Sequence, residues 1–236
     1  MCHALSMYRK FLAPALVLVA LLTLLAVLGI KAMEVSPAIS LAQEEERKEV
    51  YLTFDDGPST VVTERVLDIL KEEDVKATFF IVSDRVYNRE STLRRIAAEG
   101  HTLGVHSATH IYSEIYASDE AFLKDVAICE NVIARVTGIK PCVYRFPGGG
   151  SSAKERHTKL LEERGYRVIG WNAVCGDEEI WNAAPDTLVQ ETVKTSEGKR
   201  RVTLLLHDSA SHKATAQALP QIIAYYRNRG YTFCQY

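Results

Sequence analysis

His106 and His110 stand four residues apart, a spacing at which one helical turn or a tight loop aims both imidazoles at one point. Two histidines and one carboxylate can hold a divalent cation while leaving a coordination position open. That donor set is typical of a catalytic rather than a closed structural zinc site. Asp55 and Asp56 can supply the carboxylate. Successive side chains of an extended backbone point to opposite sides, so the two aspartates are expected to take separate duties, one on the ion and one facing a substrate. A histidine pair alone also occurs on surfaces and in cores, and Asp-Asp-Gly-Pro is a common turn sequence. Their place along the chain therefore carries the argument.

Short β-branched or apolar runs alternate with amphipathic stretches from Val50 to the end of the chain. The patterns predict strands near 50–54, 78–82, 102–106, 143–146, 168–171, 202–207 and 231–233, with helices near 61–73, 92–99, 119–137, 154–164, 186–195 and 214–229. In the third helix, Val126, Cys129, Val132, Ile133 and Val136 share one face, which buries the Cys129 thiol. Seven strands with six intervening helices imply parallel strands and right-handed crossovers, as either an open doubly wound sheet or a closed barrel. In both, chemistry gathers at the carboxyl ends of the strands. The unusual polar residues fall there. Asp55-Asp56-Gly57-Pro58 follows the first strand, His106 to His110 the third and Arg145-Phe-Pro-Gly-Gly-Gly the fourth; Asn172 to Asp177 follows the fifth and His207-Asp208 the sixth.

The 236 residues are 47% hydrophobic and 25% charged, a globular composition that excludes a mainly disordered or collagen-like chain. Lys plus Arg is 28 against 30 for Asp plus Glu, so there is no electrostatic case for a nucleic-acid partner. The five cysteines form no CxxC pair, which excludes a zinc ribbon and a thioredoxin-type motif. Cys142 and Cys175 are poor disulfide partners; Cys175 is expected near the site, as an exposed thiol or paired.

Residues 11–30 carry no charge and would make about 30 Å of helix, the thickness of a bilayer's hydrocarbon core. With Arg9 and Lys10 directly before them, they are expected to form one transmembrane helix preceded by a cytoplasmic segment, 1–10. A linker, 31–47, then leads to an extracytoplasmic domain, 48–236. The rival reading is a long signal sequence cleaved after Ser40-Leu41-Ala42, which would leave the domain secreted.

Four stretches in this order, Thr53-Phe-Asp-Asp-Gly-Pro-Ser59, His106-Ser-x-x-His110, Arg145-Phe-Pro147 and Leu205-Leu-His207, resemble the polysaccharide deacetylase family, the NodB-homology domains of carbohydrate esterase family 4. The resemblance spans about 50–233. It implies an α/β fold, a distorted (β/α) barrel of about seven parallel strands. It also implies a metal-dependent hydrolase that removes acetyl groups from a glycan polymer, with Zn2+ the commonest ion and Co2+ or another transition metal as alternatives. Carried over residue by residue, Asp56, His106 and His110 are the metal ligands. Asp55 is the general base and His207 the general acid for the leaving amine or alcohol. Arg145 orients Asp55, Asp177 hydrogen-bonds His207, and the Gly148 N–H helps to stabilise the oxyanion. Pro147, Leu205 and Trp181 are the expected substrate-binding residues.

The division of labour is chemically coherent. A carboxylate beside Arg145 is expected to stay ionised, while a histidine paired with a carboxylate is held protonated and ready to donate. The chain departs from the family in its fourth motif, where Val174 stands for an aspartate and Glu178 for a tryptophan that walls the substrate groove. Trp181 is the candidate replacement, with core packing as its alternative role. An anchored domain points to N-acetylglucosamine residues of peptidoglycan or a related cell-wall glycan. An acetylxylan esterase and a catalytically silent glycan-binding protein are the alternatives. Of the remaining histidines, His101 is expected in a loop, His157 on a charged helix face and His212 near a helix start, each structural or solvated.

Overall fold

The computed structural model describes residues 47–180 and 182–236, and Lys48–Tyr236 is a compact unit. The segments expected at 1–10 and 11–30, all of the linker expected at 31–47 except residue 47, and Trp181 lie outside the described residues. Among the described residues no helix is long and apolar enough to cross a membrane. The strands are β1 (Lys48–Gly57), β2 (Thr78–Val82), β3 (Thr102–Ser107), β4 (Val143–Tyr144), β5 (Arg167–Val168), β6 (Ala173–Val174), β7 (Arg201–His207) and β8 (Tyr231–Cys234). The helices are α1 (Val62–Glu72), α2 (Glu90–Ala98), α3 (Tyr112–Ile115), α4 (Asp119–Thr137), α5 (Lys154–Glu162), α6 (Pro185–Ser196) and α7 (Lys213–Asn228).

The strands pair in parallel in the order β5-β4-β3-β2-β1-β7-β6. β8 is wedged beside Lys48 to Tyr51 of β1, on the flank that β2 occupies from Thr53 onward. The sheet is rolled. Arg145 follows β4, three strands from β1, a separation of about 14 Å on a flat sheet. Yet its Nη1 donates to Thr53 Oγ1 at 2.7 Å and to Asp55 Oδ1 at 2.9 Å. The outcome is a half-barrel of seven parallel strands with a short eighth, and no ladder joins its ends, β5 and β6, among the described residues. β5 and β6 together replace the single strand expected at 168–171, and no helix separates them. β4 is shorter than expected because Pro147, which has no N–H to donate, turns the chain into a 3-10 turn, Pro147–Gly149.

Strand alternation sorts the side chains onto two faces. Val50, Leu52 and Phe54 of β1, Phe79 and Ile81 of β2, Leu103 and Val105 of β3 and Val202, Leu204 and Leu206 of β7 face outward. They form one core with Val66, Leu70, Ile133, Leu219 and Ile222 of the helices. Each such fully buried side chain contributes about 1.5–3 kcal/mol. The residues between them face the hollow. Phe80, Val143 and Ile169 fill its lower part, with Tyr236 packed against them. Above these, Asp55, His106, Arg145 and His207 end their strands on the same inner face.

The helix expected at 119–137 has those bounds. Ser118 Oγ accepts from the Ala121 N–H at its start, and Gly138 closes it with a left-handed backbone, φ 75°. Cys129 is buried in it and donates to the Ile81 carbonyl, and the four described cysteines are all free. Cys175 is not the exposed thiol considered above: it is fully buried, and burial pushes its pKa well up. His157 is likewise buried rather than solvated, stacked on Phe122 at 4.1 Å and bonded to Asp119 at 3.0 Å. His101 is buried and accepts from the Ala77 N–H, and burial lowers its pKa to about 4.

Gly57 passes so close to the buried Asp208 that a Cβ there would lie 2.3 Å from Oδ2. Asp208 has little room to retreat, because that oxygen accepts from Thr63 Oγ1 at 2.6 Å. Gly57→Ala is therefore expected to destabilise the domain by about 1–3 kcal/mol, read as a lower Tm. An unchanged Tm would show that the carboxylate moves aside freely.

Candidate active site

The inward side chains at the strand ends converge on a cleft of about 190 Å³. It is lined by Asp55, Asp56, His106, His110, Tyr112, Phe146, Gly148, Trp171, Glu178, Leu205 and His207. The simple alternation expected of the two aspartates does not hold. Asp56 has a left-handed backbone, φ 77°, and the β1–β2 ladder shifts register between Asp55 and Gly57. That local turn brings both carboxylates into one cleft.

Asp55 is held by Arg145, which is fully buried. Besides its bonds to Thr53 and Asp55, the guanidinium donates from Nε to the Ile169 carbonyl at 3.2 Å and from Nη2 to the Gly170 carbonyl at 2.9 Å. It also lies over the Phe80 ring at 4.3 Å. Thr53 Oγ1 in turn donates to the Leu204 carbonyl at 2.6 Å. So anchored, Arg145 fixes the direction of the Asp55 carboxylate. Burial pushes the Asp55 pKa up, and the charges of Arg145 and His207 only partly offset it. Desolvation thus outweighs the ion pair and raises the proton affinity of this carboxylate.

Asp56 Oδ1 is 3.6 Å from His106 Nε2 and 3.2 Å from His110 Nε2. His106 Nδ1 lies 2.9 Å from the Arg145 carbonyl, which can only accept, so Nδ1 carries the hydrogen and the Nε2 lone pair faces Asp56. Burial lowers the His106 pKa to about 3, keeping the ring neutral. His110 reaches the cluster from a tight loop rather than a helical turn. Its backbone is left-handed, φ 62°, and its N–H donates to Ser107 Oγ at 2.9 Å. Asp125 pins that loop by accepting from Ser107 Oγ at 3.1 Å and the Ala108 N–H at 2.9 Å. Asp56 Oδ1 itself is buried and has no hydrogen-bond partner. A buried carboxylate oxygen left unpaired is costly, and one facing two imidazole nitrogens fits a divalent cation.

Across the cleft, His207 Nδ1 lies 2.8 Å from Asp177 Oδ1, so that nitrogen donates and Nε2 is left facing the cleft. Asp177 Oδ2 accepts from the His207 N–H and from Thr215 Oγ1, each at 2.8 Å. Burial alone would lower the His207 pKa, but the bond and charge of Asp177 prevail and raise it to about 9. Burial works against ionised Asp177 too, yet its bonds from His207 and Thr215 hold its pKa below the usual value.

The polysaccharide deacetylase family model matches residues 42–169. This chain belongs to the polysaccharide deacetylase family. YheN of Bacillus subtilis is 36% identical over 190 residues, 79% of this chain and 66% of that protein. A Bacillus cereus peptidoglycan-N-acetylglucosamine deacetylase is 32% identical over 196 residues, 81% of this chain and 70% of the relative. Among solved structures, a Streptococcus mutans CE4 esterase matches with a TM-score of 0.75 at 31% identity, over 85% of this chain and 91% of that one.

In this deacetylase the structure brings Asp55, Asp56, His106, His110, Gly148, Leu205 and His207 to one cleft, with Arg145 and Asp177 directly behind it. Pro147 is buried beneath the rim, its carbonyl accepting from the Tyr116 hydroxyl at 2.8 Å, and Phe146 and Gly148 line the cleft beside it. Sequence reasoning missed Tyr112 and Trp171, large exposed aromatics at the rim. Their signal was an aromatic just beyond His110 and another just beyond a strand end. It missed Asp125 and Thr215 too, and it placed Thr53 in a motif and Asp208 at a strand end without giving either a role. Thr53 was legible as the inward residue two before Asp55; for Thr215 no local motif exists. Asp208, buried beside Asp55 and Asp56, has its pKa raised to about 7 by burial first and by those neighbouring charges second.

Proposed function

We propose that this deacetylase hydrolyses the acetamido group of N-acetylglucosamine residues in peptidoglycan, outside the cytoplasm, with residues 11–30 as its membrane anchor. The observation that carries the reading is the opposition of a held carboxylate, Asp55 on Arg145, and a held imidazole, His207 on Asp177, across the Asp56–His106–His110 group. A base and an acid with opposite protonation demands are what amide hydrolysis needs. Relatives named as peptidoglycan-N-acetylglucosamine deacetylases support the substrate, and the uncharged run at 11–30 supports the location.

Asp56, His106 and His110 would hold the cation, with Zn2+ suited to a two-histidine, one-carboxylate set. Bound there, a divalent ion polarises the acetyl carbonyl and acidifies the attacking water. Asp55 takes a proton from that water, its free oxygen directed by the Arg145 clamp. The Gly148 N–H faces the carbonyl oxygen as negative charge develops on it. His207 Nε2 gives its proton to the amide nitrogen as the C–N bond breaks, so the sugar leaves as a neutral amine and the acyl group as acetate. Leu205 offers the acetyl methyl an apolar wall, and Tyr112 and Trp171 offer ring faces to the sugar.

The test is acetate release by the purified chain from peptidoglycan, N-acetylglucosamine oligomers and acetylxylan, after chelation and again after adding zinc. Release from the first two, abolished by chelation and restored by zinc, is the expected result. Release from acetylxylan alone would make the protein an O-acetyl esterase, and no release with zinc bound would leave a glycan-binding protein. In the same assay Trp171→Ala is expected to raise KM about tenfold, equivalent to about 1.4 kcal/mol, with kcat changing far less. An unchanged KM would remove Trp171 from the sugar site.

A further inference from the structure

Beside the Asp56–His106–His110 group stands a second cluster, of which the proposed reaction uses His207 alone. Glu178, His207 and His212 each offer one donor atom, and the three lie within 4.8 Å of one another. His212 Nε2 is 3.0 Å from Glu178 Oε1, and its ring stacks on His207 with centroids 5.1 Å apart. His207 Nδ1 is engaged by Asp177, and His212 Nδ1 lies 2.7 Å from Ser209 Oγ and 3.3 Å from Ser211 Oγ, hydroxyls that can accept from it. With Nδ1 the donor in both rings, a metal would take the two Nε2 positions and release the His207 Nε2 proton to solvent. An imidazole whose far nitrogen bonds a carboxylate or other oxygen acceptor is the usual state of a zinc-bound histidine, because that bond fixes the ring and raises its basicity.

Two imidazoles and one carboxylate with a fourth position open are a zinc donor set. We propose that Glu178, His207 and His212 bind a second zinc ion, and that its occupancy inhibits the enzyme by taking the nitrogen from which His207 would deliver its proton. Neither Glu178 nor His212 has a part in the reaction as derived above. The Glu178 side chain is half exposed and lines both the active cleft and an adjoining groove of about 780 Å³ that also borders His212. An ion can therefore arrive from the groove without passing the first group.

Geometry also ranks the two sites. Bonds of 2.0–2.1 Å in a tetrahedron place ligand atoms about 3.4 Å apart. Asp56 stands 3.2 and 3.6 Å from its two histidines, and both Asp56 and His106 are buried, whereas the second set rests on a half-exposed glutamate for which water competes. The second site is the weaker and fills only when zinc is in excess.

The experiment is dialysis of the purified 236-residue chain against rising free zinc, with bound zinc counted by elemental analysis and acetate release measured in parallel. Wild type is expected to bind two zinc ions in succession, with activity falling as the second binds. His212→Ala and Glu178→Gln should each stop at one. Relative to their own one-zinc rates, they should need at least tenfold more zinc for the same inhibition. Asp56→Ala should keep the weaker ion and lose the tighter, so failure of the first site reads out separately. Glu178→Gln, a near-isosteric change at an exposed position, guards against a folding defect in His212→Ala. Saturation of wild type at one zinc, or two ions still bound in both variants, would overturn the proposal.

Discussion

Asp55→Asn is expected to keep its metal and lose its turnover. The amide oxygen can still accept from Arg145 Nη1, now 2.9 Å from Asp55 Oδ1, and the guanidinium keeps its bonds to Thr53, Ile169 and Gly170. The cleft therefore retains its shape. What disappears is a group able to accept a proton, in a position where burial has raised proton affinity. General-base catalysis contributes about 10²–10⁴-fold, so kcat should fall by that factor. Asp56→Ala should also be inactive but for a different reason, because it removes the carboxylate oxygen that faces both His106 and His110. Elemental analysis separates the two: full metal content in Asp55→Asn, a large loss in Asp56→Ala. Equal loss in both would remove the division of labour between the adjacent aspartates.

Asp177→Asn is expected to change the pH profile as well as the rate. His207 is held protonated up to about pH 9 by the Asp177 bond and charge, against the opposing effect of burial. An amide keeps a hydrogen-bond acceptor but removes the charge, so the His207 pKa should fall towards its ordinary 6.5 or below. The alkaline limb of kcat should move from near pH 9 to near neutrality. At pH 8 the protonated fraction, and with it kcat, should fall about 30-fold for a pKa of 6.5 and further for a lower one, with metal content unchanged. Stability has a matching sign. A histidine whose folded pKa is raised contributes stability that is fully present below pH 6.5 and is lost as pH rises through about 9. The Tm advantage of wild type over Asp177→Asn should therefore shrink across that window. A variant with an unshifted alkaline limb would show that Asp177 does not act through His207.

Much of the site was legible before any coordinates. The strand patterns near 50–54 and 202–207 already placed Asp55 and His207 at strand ends, where this class of fold gathers its chemistry. The parallel strand–helix order predicted that chemistry would sit at strand ends, and Asp55, His106, Arg145 and His207 are there. The helix from Asp119 to Thr137 carries its own start and stop signals, Ser118 and Gly138. These features depend on neighbours within a few residues, so local sequence determines them.

Tertiary structure decided the rest, because the contacts concerned join parts of the chain that no local pattern relates. Arg145 meets Asp55 across 90 residues only because the sheet is rolled, and a flat parallel sheet would satisfy the same alternation. Thr215 reaches Asp177 over 38 residues, and Asp208 fills the space beside Gly57 over more than twice that interval. The left-handed backbone of Asp56, which puts both aspartates in one cleft, runs against the preference of an L-residue and persists because the surrounding strands hold it. Sequence alone determined which side chains end the strands. The curvature of the sheet and the left-handed turn at Asp56 decided that a base, a candidate metal group and an acid would point at the same few ångströms of space.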